Sequence, residues 1–152
     1  MVYVECYPDE LLARTLGVQR CNLKHERGKG NILNRLDQVD AGMGLVDEDP
    51  GATPPNRFNK YRPVDQKGGI RLLEHVENPA RKLVCLSPRL EEWLYTRAAD
   101  LGLDPAKFGL PLKAQELHAI PRYDTRPGFR TFLEQLKHDP EVQCLEKWIA
   151  QG

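Results

Sequence analysis

Residues 2–17, VYVECYPDELLARTLG, predict a strand, a tight turn and a helix in direct succession. The run VYVEC is rich in β-branched and aromatic residues, which favour an extended strand. Pro8 suits the first turn of a helix and Gly17 suits a helix end, with leucines at helical spacing between them. The chain therefore opens on a β–α unit whose strand ends at Glu5.

Further strands are predicted downstream of this unit. Residues 32–39 carry an apolar stripe at helical spacing, which predicts the next helix. Short apolar runs predict buried strands at MGLVD ending in Asp47, at 70–76 and at 82–86, with Val18–Leu23 as a weaker strand candidate. Because strands and helices alternate, we expect an α/β fold with a mainly parallel sheet of four to five strands and helices on both faces.

The second half of the chain predicts mostly helices. Ser87 as an N-cap, with Pro88 at the first helical position, is expected to begin a helix. Residues 102–152 give a series of short helical signals. The sequence predicts a single domain with a core at about residues 2–88 and a helical C-terminal extension at about residues 89–152.

Residues 50–69 form the longest segment without apolar periodicity. The segment is rich in Pro, Gly and Asn and is predicted to be an exposed loop. Basic residues cluster at 20–35 and again at 57–67. A solvated surface explains each basic cluster about as well as a track for phosphate groups does.

Composition limits the class of protein. No stretch approaches the roughly 18 uninterrupted apolar residues of a membrane helix, and an acid at position 5 does not fit a secretory signal. We therefore expect a cytoplasmic protein without membrane association. The formal net charge is zero, so any binding of nucleic acid would depend on local charge. The four cysteines form no CxxC pair, and we expect free thiols rather than a zinc site.

Acidic side chains follow two of the predicted strands. Glu5 closes the first strand, and Asp47 and Asp49 close the strand MGLVD. Ligands of open parallel sheets bind beyond the carboxyl ends of the strands, and alternation would point Asp47 and Asp49 to one side. Carboxylate oxygens suit hard cations such as Mg²⁺. The pattern predicts a shared metal site, although acids also cap helices, which explains Asp9 and Glu10 in the first helical turn.

The same residues resemble a known family. YVECYPDELLARTLG is similar to the opening motif of TOPRIM domains, a glutamate that ends the first strand with an aspartate four residues on, and GLVDEDPG is similar to the family's Asp-x-Asp strand end. CLSPRLEEWL resembles a segment of small TOPRIM-like proteins of prokaryotic defence loci and of overcoming-lysogenization-defect nucleases. The resemblance covers roughly residues 2–88 and implies a TOPRIM/Rossmann-like fold.

The resemblance also implies roles for individual residues. Glu5 would be a general acid/base or metal ligand, and Asp47 and Asp49 would be ligands of Mg²⁺ or Mn²⁺. Glu91 would be a further ligand, for which Glu92 could substitute. Cys6 stands where the family usually has glycine, which puts close approach of a phosphate to that backbone in doubt.

The acidic residues and the resemblance together suggest two functions from different classes. The first is a metal-dependent nuclease, or related phosphodiester-processing enzyme, that acts on DNA or RNA in phage defence. Arg27 and Lys29, in a glycine-bearing loop that enters a helix, are weak candidates for binding substrate phosphate. The alternative is a catalytically silent TOPRIM-like module that binds nucleic acid or a partner ATPase. A signalling domain with an acidic pocket is a third and weaker interpretation, and none of the four histidines is assigned a role.

Overall fold

The computed structural model describes all 152 residues and contains one six-stranded mixed sheet. The strands, in chain order, are β1 (Val2–Val4), β2 (Leu23–His25), β3 (Gly42–Asp47), β4 (Tyr61–Lys67), β5 (Ile70–His75) and β6 (Arg81–Leu86). Their order across the sheet is β2-β1-β3-β6-β5-β4. The first four of these run parallel, whereas β5 and β4 are antiparallel to their neighbours. The predicted α/β fold with a mostly parallel sheet is confirmed, but the predicted strand number is too low.

Six α-helices surround the sheet. They are α1 (Tyr7–Thr15), α2 (Lys29–Asp37), α3 (Leu90–Leu101), α4 (Ala114–His118), α5 (Pro127–Leu136) and α6 (Pro140–Ile149). Short 3-10 turns occupy Arg20–Asn22, Asn56–Lys60, Pro105–Phe108 and Tyr123–Thr125. After β6 the chain contains helices and no further strand, as the sequence predicts. No helix is both long enough and apolar enough to cross a lipid bilayer.

The two faces of the sheet pack against different helices. In β1, Val2 and Val4 belong to one apolar cluster, whereas Tyr3 belongs to the other. This division follows from the alternation of side chains along a strand. The larger cluster includes residues of α1, α3, α5 and α6, and the smaller one includes the apolar stripe of α2. Helices therefore cover both faces, as predicted.

The predicted loop at 50–69 is wrong in its second half. Residues 61–67 form β4, an edge strand whose side chains are exposed except for Tyr61. Pro63 is tolerated there because an edge strand can lack one ladder donor, and the pairing with β5 is irregular beside it. The apolar periodicity of a strand is missing because neither face of β4 is deeply buried. The overlooked signal is Gly68-Gly69, which joins β4 to β5 as a two-residue turn with φ +56° at Gly68.

Two predicted element boundaries are also wrong. The weaker strand candidate Val18–Leu23 is mostly a turn, and β2 begins only at Leu23. The N-cap of α3 is Arg89 rather than Ser87, and the Ser87-Pro88 peptide bond is cis. Arg89 gives no side-chain cap, and the Leu90 amide instead donates to the Asp47 carboxylate across the sheet end. A long-range cap of this kind leaves no signal in the local sequence.

A buried carboxylate ties the last helix to the far edge of the sheet. Glu141 in α6 accepts hydrogen bonds from the Trp93 indole at 2.8 Å and from the Gly69 amide at 2.6 Å. The Arg97 guanidinium pairs with the same carboxylate at 2.9 Å. Because its charge is paired and hydrogen-bonded, Glu141 can be buried without a large desolvation penalty. The C-terminal helices are thus joined to the β4–β5 turn.

The close approach of α5 to the turn at Phe108 gives a stability prediction. A Cβ atom added at Gly128 would lie 1.8 Å from the Phe108 carbonyl oxygen, so backbone would have to move. We expect Gly128→Ala to lower the free energy of unfolding by about 2 kcal/mol or more, measured by urea denaturation. Gly51→Ala is the matched control, because no atom lies within 4 Å of its added Cβ. Equal stability of the two variants would contradict this packing.

Candidate functional site

A pocket lies beyond the carboxyl ends of β1 and β3, which are neighbours in the sheet. Glu5 follows β1, Asp47 is the last residue of β3, and Asp49 comes two residues later. All three line this pocket of about 280 Å³, together with Lys29 and residues 52–55. The structure therefore brings the three predicted acids to one place, although they are distant in the sequence.

Asp49 reaches the pocket differently from the prediction. The extended run ends at Asp47, and Asp49 has φ +46°, a left-handed conformation that aspartate tolerates better than most residues. Its amide donates to the Pro88 carbonyl at 2.8 Å, which fixes the turn. Strand alternation therefore does not account for the position of Asp49. The turn between β3 and the following loop does.

Asp47 lies at the centre of the acidic residues. One of its oxygens accepts the Leu90 amide at 3.0 Å and so caps α3. Burial, and then the charges of Asp9, Glu5 and Glu91, raise the pKa of Asp47 to about 9. A carboxyl in this environment holds its proton at neutral pH unless a cation is supplied.

Asp9 is a site residue whose local sequence context suggests a different role. Asp9 lies in the first turn of α1, but its side chain is only 3% exposed and so does not belong to an exposed helix N-terminus. Its Oδ2 accepts the Cys6 thiol at 3.2 Å, and its Oδ1 has no hydrogen-bond partner. Burial raises the pKa of Asp9 to about 7, with the charges of Glu5 and Glu91 adding to the effect of burial. The spacing of four residues from Glu5, the same spacing as in the TOPRIM motif, is the signal that could have identified it.

The structure distinguishes Glu91 from Glu92. Glu91 is buried, and its Oε1 accepts the Tyr123 hydroxyl at 2.8 Å and lies 3.0 Å from Nδ1 of His118. Its other oxygen has no partner. Glu92 instead pairs with Arg89 at 2.6 Å. Glu91 is therefore the residue whose charge acts on Asp47 and Asp9, and it stands behind the pocket rather than in its lining.

Glu5 combines a buried oxygen with a nearby cation. Its Oε1 is buried without a hydrogen-bond partner. Burial raises the pKa of Glu5, and the positive charge of Lys29 opposes that rise. The Glu5 carboxyl is therefore protonated more readily than that of an exposed glutamate. Its backbone carbonyl accepts His25 Nε2 at 2.9 Å, which fixes the end of β1.

Lys29 and the start of α2 form the basic wall of the pocket. Lys29 donates to the Glu48 carbonyl at 3.1 Å and lies 5.5 Å from the Phe58 ring. The N-cap of α2 is Gly28, which offers no side chain to the first free amides of the helix. Amides of this kind favour an anion. Arg27, the other predicted phosphate ligand, does not line the pocket. Glu48 pairs with Arg71 at 3.0 Å, away from its acidic neighbours.

The residues of this pocket suit a hard divalent cation. Carboxylate oxygens are the predominant donors, and Glu5, Asp9 and Glu91 each keep one buried oxygen without a partner. In the present arrangement, however, no group of three or more His, Cys, Asp or Glu side chains is placed to hold a metal ion.

Comparison with known proteins adds no assignment. No family model, no curated protein and no solved structure matches the chain. Any proposal of function therefore depends on the geometry of the chain and on the resemblance of its sequence motifs.

The raised pKa of Asp47 predicts how stability depends on pH. Its pKa is about 9 in the folded protein against an ordinary value of 3.8. Between these values the folded state binds more protons than the unfolded state, so stability falls as pH rises. Asp47→Asn keeps an oxygen for the Leu90 amide and removes the ionisation. We expect this variant to exceed wild type by about 2 kcal/mol at pH 8.

Urea denaturation in EDTA buffer at pH 5 and pH 8 measures this difference. The advantage of Asp47→Asn should narrow at pH 5, because that pH is closer to the ordinary pKa of 3.8 and the folded wild type then loses less stability by keeping the proton. Asp40→Asn is the control, because Asp40 is exposed and lies just before β3, at the opposite end of the strand from Asp47. A constant difference between Asp47→Asn and wild type at both pH values would contradict the raised pKa of Asp47.

Proposed function

We propose that the protein is a metal-dependent phosphodiesterase that acts on nucleic acid. One observation carries the proposal: Glu5, Asp47 and Asp49 share a single pocket with Lys29 at the start of α2. The acids form a place for a divalent cation, and Lys29 with the free amides of α2 forms a place for an anion. A phosphodiester bound with its counter-cation requires both charges side by side.

Glu5, Asp47 and Asp49 are the residues that would hold the ion, with Mg²⁺ or Mn²⁺ as the candidates. When bound, such an ion polarises a phosphate and lowers the pKa of water. It would also neutralise the acids, so that Asp47 would lose its proton at neutral pH. Asp9 and Glu91 add negative charge behind the pocket and thereby favour a divalent over a monovalent cation.

The remaining groups of the pocket have separate tasks in this proposal. The Lys29 ammonium and the α2 amides bind and orient the phosphate. The Glu5 carboxylate, which lines the pocket, accepts a proton from the attacking water. Asp47 holds the position of α3 through the Leu90 amide, so that the two strand ends and α3 form one rigid frame.

The TOPRIM resemblance belongs to the same proposal. The glutamate, aspartate and Asp-x-Asp positions that carry it are Glu5, Asp9, Asp47 and Asp49, the acids that surround this pocket. A role for the protein in phage defence rests on that resemblance, and a cytoplasmic location rests on the sequence near the N-terminus. A catalytically silent module that binds nucleic acid or a partner ATPase is the competing function, and activity measurements separate the two.

Metal binding is the first test. Titration calorimetry with Mn²⁺ at pH 7.5 should show binding to wild type that is lost in Asp47→Asn and Asp49→Asn. Mn²⁺ should also raise the melting temperature of wild type, because a ligand that binds only the folded state stabilises it. Asp40→Asn should bind Mn²⁺ like wild type. Unchanged binding in both Asp47→Asn and Asp49→Asn would remove the pocket as the metal site.

Hydrolysis is the second test. Labelled single-stranded and duplex DNA and RNA are incubated with wild type in Mg²⁺ or Mn²⁺, and cleavage is followed on gels. We expect Glu5→Gln and Asp47→Asn to lower the rate by at least about 100-fold, and Lys29→Ala to raise KM more than it lowers kcat. Asp40→Asn should cleave like wild type. If wild type and all variants are equally inactive while Mn²⁺ still binds, the silent module is the better interpretation.

A further inference from the structure

Two clefts on the outer side of α1 join into one groove. The first, of about 320 Å³, lies beside Tyr7 and Arg122, and the second, of about 360 Å³, lies beside Arg130. Both clefts are lined by Leu11, Arg14 and Arg20, so they are continuous. We call this continuous surface the arginine groove.

The arginine groove contains positive charge that the protein itself does not neutralise. Arg14, Arg20 and Arg130 are exposed, and none of them takes part in any ion pair of the structure. The chain as a whole, by contrast, has acidic and basic residues in equal number.

The acidic side chains in the groove are mostly engaged. Asp124 is held by both nitrogens of the Arg122 fork, at 3.0 and 3.1 Å. Glu134 lies 3.6 Å from Lys137. Glu10 is the one carboxylate of the groove without an ion pair. Three unpaired guanidinium groups against one unpaired carboxylate make the groove a local site for a polyanion.

A connected set of contacts leads from the groove to the acidic pocket. The Arg122 guanidinium lies 3.7 Å from the Tyr7 ring centroid, and the Tyr7 ring meets the His25 ring edge-on at 4.5 Å. His25 in turn donates to the Glu5 carbonyl. Tyr7 remains 44% exposed, so an aromatic face or edge is open to a ligand between the groove and Glu5.

We propose that the arginine groove binds the sugar–phosphate backbone of a nucleic acid strand and directs it towards the acidic pocket. This inference rests on the proposed function for its direction, but the binding itself requires no metal. Guanidinium groups recognise phosphate through paired N–H donors, and several of them along one groove match the repeated charges of a strand. An acidic protein segment would match the charge but has no reason to lead to a pocket for a phosphodiester.

The test is binding without hydrolysis. A fluorescein-labelled single-stranded DNA of about 20 nucleotides is titrated with protein in EDTA, and anisotropy is read between 50 and 200 mM salt. We expect the triple variant Arg14→Ala/Arg20→Ala/Arg130→Ala to bind at least about tenfold more weakly. The slope of log affinity against log salt should fall in magnitude by about 2, because each phosphate that the variant no longer neutralises accounts for about 0.7 of the slope.

Arg62→Ala is the matched control, because Arg62 is also an exposed arginine without an ion pair but lies in β4 at the other end of the sheet. Equal weakening in Arg62→Ala, unchanged binding in the triple variant, or no binding by wild type would overturn the proposal. Competition by polyglutamate as effective as that by unlabelled DNA would overturn it in favour of an acidic protein partner.

DNA binding in EDTA can be separated from the proposed enzyme activity. Asp47→Asn should keep the full affinity for DNA in EDTA while it loses Mn²⁺ binding. Loss of DNA binding in the triple variant supports the groove even if wild type cleaves nothing. Conversely, a triple variant that cleaves and binds like wild type would leave the acidic pocket intact and would eliminate the groove.

Discussion

The site depends on one constraint: acidic side chains are held partly out of water at the ends of β1 and β3. Asp47 is half-buried beside Asp9, Glu5 and Glu91, and its pKa rises because partial burial and then these charges disfavour ionisation. The same residue caps α3, so the structure cannot move Asp47 away from its neighbours without freeing the helix start. Asp47 therefore stabilises the start of α3 and at the same time adds to an unfavourable concentration of carboxyl groups.

Crowding carboxyl groups in this way lowers the stability of the folded protein, which is a cost without benefit unless the groups have a function. Unpaired buried oxygens on Glu5, Asp9 and Glu91 lose hydration without any hydrogen bond in return. The fully buried acids Glu141 and Asp139 are satisfied: Glu141 is held by an indole, an amide and a guanidinium, and Asp139 caps two amides of α6. Among the acids away from the pocket, only the half-buried Glu92 also keeps a buried oxygen without a partner. The contrast within one molecule is the strongest physical reason to regard the acidic pocket as functional rather than structural.

The sequence predicts the parts of the fold and site that depend on local pattern. Glu5 and Asp47 could be predicted because each follows an apolar run, and a parallel sheet places such ends together. β4 could not, since an edge strand exposed on both faces lacks alternation, and only the Gly68-Gly69 turn marks it. Asp9 could not be assigned to the site, because an acid in a first helical turn has a sufficient local explanation and nothing in that turn indicates that its side chain is buried. The resemblance to TOPRIM domains supplied the Asp9 spacing, but no comparison with known proteins tests it.

The contact of Glu141 with the β4–β5 turn also bears on how the molecule folds. The hydrogen bond from Gly69 to Glu141 joins residues 72 positions apart, so the turn of the edge hairpin gains this contact only when the last helix docks. The β4–β5 turn and α6, which both look peripheral, are therefore expected to exchange their amide hydrogens as one cooperative unit. Contacts of such long sequence separation slow folding, so the protein should fold more slowly than its helical content suggests.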